Sequence, residues 1–93
     1  MKLTKDSATA IAKQDLSQRL NVPEDKISVV SVTEKDFPDM SLGAPASDEM
    51  SAQMISSGWE IKLGTNGEKY DYRADKYQIR LHNFKGSNYV VQS

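Results

Sequence analysis

The chain has 93 residues with 12 Lys and Arg against 13 Asp and Glu, a formal net charge of −1, which gives one domain with one modest core and no basic surplus to drive nucleic-acid binding. It has no cysteine and a single histidine, so disulfides, thiolate metal sites and a cysteine nucleophile are excluded and other catalytic options are thin. No apolar run approaches the roughly 18–20 residues of a bilayer span, and no hydrophobic stretch follows Met1, so neither a membrane helix nor a signal peptide is expected.

The first segment reads as a helix over about 5–20. Thr4 is an N-cap, with Leu3 and Ala8 at the spacing of a hydrophobic staple. Ala8, Ile11, Ala12, Leu16 and Leu20 recur at steps of three and four and lay down one apolar stripe. Asn21 suits the left-handed residue at a helix end, and Pro23 stops any continuation. A strand follows over about 27–35, from the β-branched run Ile27-Ser28-Val29-Val30-Ser31-Val32-Thr33. Its broken alternation at Val29-Val30 signals a bulge or burial on both faces.

The strongest pattern is a meander over 58–82. Asn66-Gly67 is the preferred pair for a two-residue hairpin turn. That turn sets Leu63 opposite Tyr70 and Ile61 opposite Tyr72 on one face, and Lys62 opposite Asp71 and Glu60 opposite Arg73 on the other. A one-residue slip would destroy both sets. A second turn centred on Asp75-Lys76 sets Tyr72 opposite Ile79, Tyr70 opposite Leu81 and Asp71 opposite Arg80. One sheet face then carries Trp59, Ile61, Leu63, Tyr70, Tyr72, Ile79 and Leu81 and packs on the helix stripe. The other carries the rung Lys62–Asp71–Arg80 and reads as a self-neutralised, solvated face. The expected fold class is therefore α+β: an N-terminal helix on an antiparallel sheet of about four strands, in the order helix, strand, long loop, three-stranded meander.

Two segments stand outside that pattern. Residues 36–57 form a connection longer than a structureless loop normally is, and Met40, Met50 and Met54 fall in it with Phe37, Leu42 and Ile55. The tail, 83–93, either adds an edge strand or frays.

The chain resembles the PepSY domain, a small α+β, PepSY/cystatin-like module of exported bacterial proteins. The residues that carry the likeness are Ala8-Thr9-Ala10-Ile11-Ala12 with Leu16, the strand from Ile27, and Gly58-Trp59-Glu60-Ile61-Lys62-Leu63 followed by Tyr70-Asp71-Tyr72. A closer likeness is to small exported bacterial domains of unassigned function. These carry a Phe/Trp-Pro-Asp-x-Ser-Leu-Gly-Cys-Pro loop, which here reads Phe37-Pro38-Asp39-Met40-Ser41-Leu42-Gly43-Ala44-Pro45, with Ala44 in place of the cysteine. The resemblance implies an extracytoplasmic or cell-envelope location, and binding or inhibition, with a protease as one partner class, rather than catalysis.

Individual residues weigh the same way. Asp36, Asp39, Asp48 and Glu49 lack the spacing of a calcium loop, and Asp39 reads as the cap of the turn before Ser41 and Leu42. His82 falls opposite Lys69 on the charged face, without a second imidazole or thiolate to complete a metal site. The methionines with His82 would suit Cu(I), but methionine is far more often irregular core filler. Ser41, Ser56 and Ser57 lack a partner base in sequence. No cofactor, metal or nucleic acid is expected, and a monomer is the default. The expectation is a non-enzymatic module that meets a protein partner through the 36–57 loop, at Phe37, Asp39, Met40, Leu42 and Met50, or through an exposed sheet edge by strand addition. The alternatives are a structural domain without a discrete site, the loop then being a lid closing one end of the core with Phe37, Leu42 and Met54, and, least supported, an enzyme.

Overall fold

The computed structural model describes residues 2–47, 49, 50 and 52–93. These form a helix α1 (Lys5–Leu20), a short 3-10 turn (Glu24–Lys26) and five strands, β1 (Ser28–Phe37), β2 (Ser56–Thr65), β3 (Glu68–Ala74), β4 (Ile79–Phe84) and β5 (Ser87–Gln92). The strands make one antiparallel sheet in the order β1-β2-β3-β4-β5. Ser87–Gln92 is thus the edge strand that the tail left open, and the sheet has one strand more than the four expected. Among the described residues, no helix is long and apolar enough to cross a membrane.

Helix α1 starts and ends as its sequence dictates. The Thr4 hydroxyl accepts from the Ser7 N–H at 3.1 Å and the Ser7 hydroxyl accepts from the Thr4 N–H at 2.8 Å, a reciprocal cap that satisfies two donors the helix itself leaves free. At the other end Asn21 takes φ 55° and its N–H returns to the Ser17 carbonyl. The stripe Ala8, Ala12 and Leu16 is buried against Ile61, Leu63, Tyr72, Ile79 and Leu81, with Ile11, Leu20, Trp59 and Tyr70 at its border. Leu3, Ile27, Ala74 and Phe84 complete this core. The Tyr72 ring is fully buried, and its hydroxyl donates to Asp15 Oδ2 at 2.7 Å, the same oxygen that Arg19 Nε reaches at 2.6 Å. Burial, ahead of that hydrogen bond to an anion, pushes the phenol far above its ordinary range.

The first hairpin has the expected register. Asn66 and Gly67 take φ 53° and 78° in the turn, and Leu63–Tyr70, Ile61–Tyr72, Lys62–Asp71 and Glu60–Arg73 are cross-strand pairs. The doubled valine is a bulge: pairing with β2 shifts between Val29 and Ser31, and both valines are largely exposed.

The second turn corrects the expected register by two residues. Asp75 is buried, and its Oδ1 accepts the N–H groups of Tyr77 and Gln78 at 2.8 and 2.9 Å while its N–H donates to the Gln78 carbonyl at 3.0 Å. The connection is therefore four residues long rather than two. Because the side-chain period of a strand is two, every residue keeps its face and the core is unchanged. The rungs on the polar face do change. Asp71 stands opposite His82 instead of Arg80, His82 opposite Asp71 instead of Lys69, and Arg73 opposite Arg80.

That polar face is not the solvated one the charges suggest. Phe37 lies on it, and the 38–55 connection folds back across it, burying Ser41, Leu42 and Ala44. The loop is thus a lid on the second face, not on an end of the core, and Met54 is exposed rather than part of it. Nor is methionine core filler here. Phe37, Leu42 and Ala44 occupy the buried positions, and Met40, Met50 and Met54 stay outside.

Gly58 makes the sheet possible at one point. A Cβ built there would lie 2.0 Å from the Ala74 carbonyl oxygen, a contact that only displaced backbone could relieve. Gly58→Ala is expected to lower stability by about 2–3 kcal/mol or to prevent folding, read from urea denaturation, whereas Gly67→Ala meets no neighbouring atom within 4 Å and carries only the strain of its φ of 78°.

Candidate functional site

The loop over the polar face is built on Asp39. Its Oδ1 accepts from the Ser41 N–H at 3.0 Å, the Ser41 hydroxyl at 2.7 Å and the Gly43 N–H at 3.1 Å. The hydroxyl of Ser41, followed by the Gly43 N–H, holds the Asp39 carboxyl below its ordinary value. The capping role that the sequence assigns to Asp39 is the one it has. Leu42 and Gly43 are consecutive left-handed residues, φ 59° and 68°, and their carbonyls point to the sheet. The φ of Gly43 favours glycine, and a Cβ there would sit 2.7 Å from Arg73 Nη1, so a larger residue would push the guanidinium end off the loop carbonyls.

Two arginines hold this loop down. Arg73 Nη1 donates to the carbonyls of Leu42 and Gly43 at 3.0 and 3.1 Å, and its Nη2 to Asp71 Oδ2 at 3.2 Å. Its guanidinium also lies 5.8 Å from the centre of the Phe37 ring. Arg80 is only 6% exposed. Its Nε donates to Gln78 Oε1 at 2.8 Å, its Nη1 to the Ala44 carbonyl at 3.2 Å, and its two Nη groups clasp both carboxylate oxygens of Glu49, Nη2 at 2.8 Å from Oε2. Ala44 stands at the cysteine position of the resembling loop. Here hydrogen bonds from Arg73, Arg80 and Asn88, the last to the Pro45 carbonyl at 2.9 Å, fix the segment. The charge pattern of the sequence hid this role, since both arginines read as members of an exposed rung. The sequence carried no signal for it: the role follows from the four-residue turn at Asp75, which only the structure shows and which pairs Arg73 with Arg80, leaving two cations facing each other in need of acceptors.

Exposed apolar side chains of the loop and of the β3–β4 turn lie at one end of the sheet. Met40 is 41% exposed, Met54 63%, Ile55 75% and Tyr77 64%. Three contacts bring them to the same end. The Met40 N–H donates to the Ala52 carbonyl at 3.0 Å, joining the two limbs of the loop. Gln78 Nε2, beside Tyr77, donates to the Met40 carbonyl at 2.6 Å, and the hydroxyl of Ser56, beside Ile55, donates to Asp75 Oδ2 at 3.0 Å. Met50 is almost wholly exposed and lies next to Glu49 on the limb that crosses to Arg80. The five residues proposed from sequence therefore divide. Met40 and Met50 are open to a partner and Asp39 is half-buried in its turn. Phe37 and Leu42 are buried under the loop and serve its packing.

The remaining chemistry is dispersed. Asp36 accepts from the Ser57 hydroxyl at 2.8 Å, Asp39 from Ser41, and Glu49 from Arg80; Asp48 lies outside the described residues. Among the described residues no cluster of His, Cys, Asp or Glu is arranged to hold a metal. His82 Nδ1 lies 3.4 Å from Asp71 Oδ2, in a concavity of about 460 Å³ where β3 and β4 diverge beyond that pair, lined also by Glu68, Lys69, Tyr70 and Lys85. An imidazole and a carboxylate do meet there. The hydroxyl in its lining belongs to Tyr70 and is donated to Glu68 at 2.9 Å, while burial, ahead of that bond, raises its pKa. The serines singled out from sequence are each bonded to an aspartate elsewhere, not to His82.

Fold and site together define a small α+β domain with a helix on one sheet face and an arginine-clamped loop on the other. Residues 9–82 match the domain family DUF8738, a domain of unknown function, and the chain belongs to that family. The match runs from α1 into β4 and so includes the loop and both clamping arginines. No curated protein and no solved structure matches the chain.

The clamp titrates in acid. The hydrogen bonds from Arg80, then the Ala46 N–H, hold Glu49 at about 2 against an ordinary 4.5. A carboxyl whose pKa is lowered on folding contributes its full stability above the unfolded value and loses it as the pH falls through the folded one. The contribution of Glu49 is therefore complete above pH 4.5 and disappears between there and about pH 2. Urea midpoints measured across that window are expected to fall less steeply for Glu49→Gln than for the wild type; parallel curves would show that the pair contributes nothing. Separately, Asp39→Ala removes three hydrogen bonds to a carboxylate and is expected to cost about 2–3 kcal/mol in the same measurement at pH 7.

Proposed function

We propose that this domain is a non-enzymatic protein-interaction module whose contact surface is the outer side of the 38–55 loop. The observation that carries this reading is the group Met40, Met54, Ile55 and Tyr77, exposed at one end of the sheet while residues 42–44 are held to the sheet by Arg73 and Arg80. Large apolar side chains held out on a rigid base are the arrangement of a recognition loop, because the base removes the ordering cost that a free loop would incur on binding. Methionine suits such a surface, since its unbranched, polarisable side chain adapts to an irregular partner. The PepSY likeness supports a narrower version: an exported or envelope module that binds a protease, as ligand or inhibitor.

A second reading, a structural or accessory domain in which the loop only covers the sheet, draws on the complete burial of Leu42 and Ala44. The two readings separate on the exposed residues. Immobilised wild-type chain and the double variant Met54→Ser/Ile55→Ser are compared for quantitative capture of protein from the native cell extract, with thermal melts as a control for folding. The interaction reading expects at least roughly tenfold weaker retention by the variant at an unchanged melting temperature. Equal retention by both overturns it and leaves the structural reading.

A further inference from the structure

The loop has two parts held by different means. Residues 39–44 are fixed from within, by the three hydrogen bonds to Asp39 and the burial of Ser41, Leu42 and Ala44. The arm that follows is different. Its described residues 49, 50 and 52–55 are all exposed, so it gains almost nothing from apolar burial. Among the described residues, Asn88 anchors the arm at its start through the Pro45 carbonyl, and beyond that point its side-chain tie to the sheet is Glu49 on Arg80 and its backbone tie is the Ala52 carbonyl on the Met40 N–H.

We infer that the Glu49–Arg80 pair is a releasable latch, and that Arg80, with the arm lifted, is a receptor for a carboxylate on an acidic segment of a partner. This rests on the reading of the loop as the contact surface and adds the partner's chemistry to it. A guanidinium fork holds any carboxylate in the same bidentate geometry, so an incoming Asp or Glu side chain replaces the contacts of Glu49 one for one. Lifting the arm returns Arg80 to water, so no buried charge is left uncompensated, which is the step that makes a buried ion pair hard to break. The demand for an anion persists after release, because Arg80 stands directly opposite Arg73 and that cation already shares Asp71 and the loop carbonyls. Met50, next to Glu49 on the arm, is almost wholly exposed, so the segment that fits carries an acidic residue with an apolar neighbour.

Both halves are tested on the isolated chain, without a partner and without changing the apolar patch, so their failure is distinct from failure of the interaction reading. Amide hydrogen exchange is measured by NMR at neutral pH on the wild type and on Glu49→Gln. The Met40 N–H, which reports the arm through Ala52, is expected to exchange about tenfold faster in the variant, a fold-change readily resolved by native-state exchange, while the amides of Ser41 and Gly43 are unchanged. A synthetic peptide with the sequence of residues 45–55 is then titrated into Glu49→Gln and is expected to perturb the Arg80 side-chain resonances. The same peptide with Gln in place of its Glu49 equivalent is expected to leave them unmoved. Unchanged Met40 exchange, or loss of protection at Ser41 and Gly43 as well, overturns the latch. Equal behaviour of the two peptides, including no effect from either, overturns the carboxylate receptor.

Discussion

Arg73 and Arg80 stand opposite each other on adjacent strands, and the second face of the sheet is organised around satisfying them. Two like charges at cross-strand distance destabilise a sheet unless acceptors surround them. Glu60 and Asp71 supply part of that need from within the sheet, Glu60 at 3.9 Å and Asp71 at 3.2 Å from Arg73. The rest comes from the connection between β1 and β2: the carbonyls of Leu42, Gly43 and Ala44 and the carboxylate of Glu49. A connection too long to be a simple hairpin thereby becomes a layer of structure. The small apolar group Phe37, Leu42 and Ala44 is the packing counterpart of those polar contacts.

The geometry of that layer depends on a short turn remote from it in sequence. Asp75, buried between Ser56 and the backbone of Tyr77 and Gln78, lengthens the β3–β4 connection by two residues. A shift of two leaves the apolar face untouched and moves every charged partner along by one rung. The helix-side core is thus insensitive to the choice of turn, while the polar face is decided by it. The same turn places Gln78 to receive Arg80 Nε and to donate to the Met40 carbonyl, so it also sets where the exposed methionine ends up.

The consequence for function is a division of labour across the sheet. The helix face supplies the stability common to a small α+β domain, through aliphatic packing and the Tyr72–Asp15–Arg19 network. The other face is polar and held by directional contacts, and it presents the apolar residues that the core did not take. That combination of a held base and exposed apolar residues is what the proposed interaction role rests on. The His82–Asp71 pair lies in the gap between the diverging ends of β3 and β4 and is joined to the loop clamp through Asp71 Oδ2, which also accepts from Arg73.

What followed from the sequence alone was everything that depends on local chemistry and on a period of two or 3.6. The helix from Thr4 to Asn21, the Asn66-Gly67 hairpin and its register, an irregularity at Val29-Val30, the cap at Asp39 and the helix-side core all follow from such local rules. So does the recognition that residues 36–57 hold too much apolar surface to be a passive linker. Tertiary structure decided the rest. The four-residue turn at Asp75 depends on a carboxylate buried against β2, and no local pattern distinguishes it from a two-residue turn because both leave the faces intact. The fate of Phe37, Leu42 and the methionines depended on which sheet face the loop would cover. That choice was made by hydrogen bonds from Arg73 and Arg80 to backbone carbonyls, and a carbonyl carries no signature in the sequence.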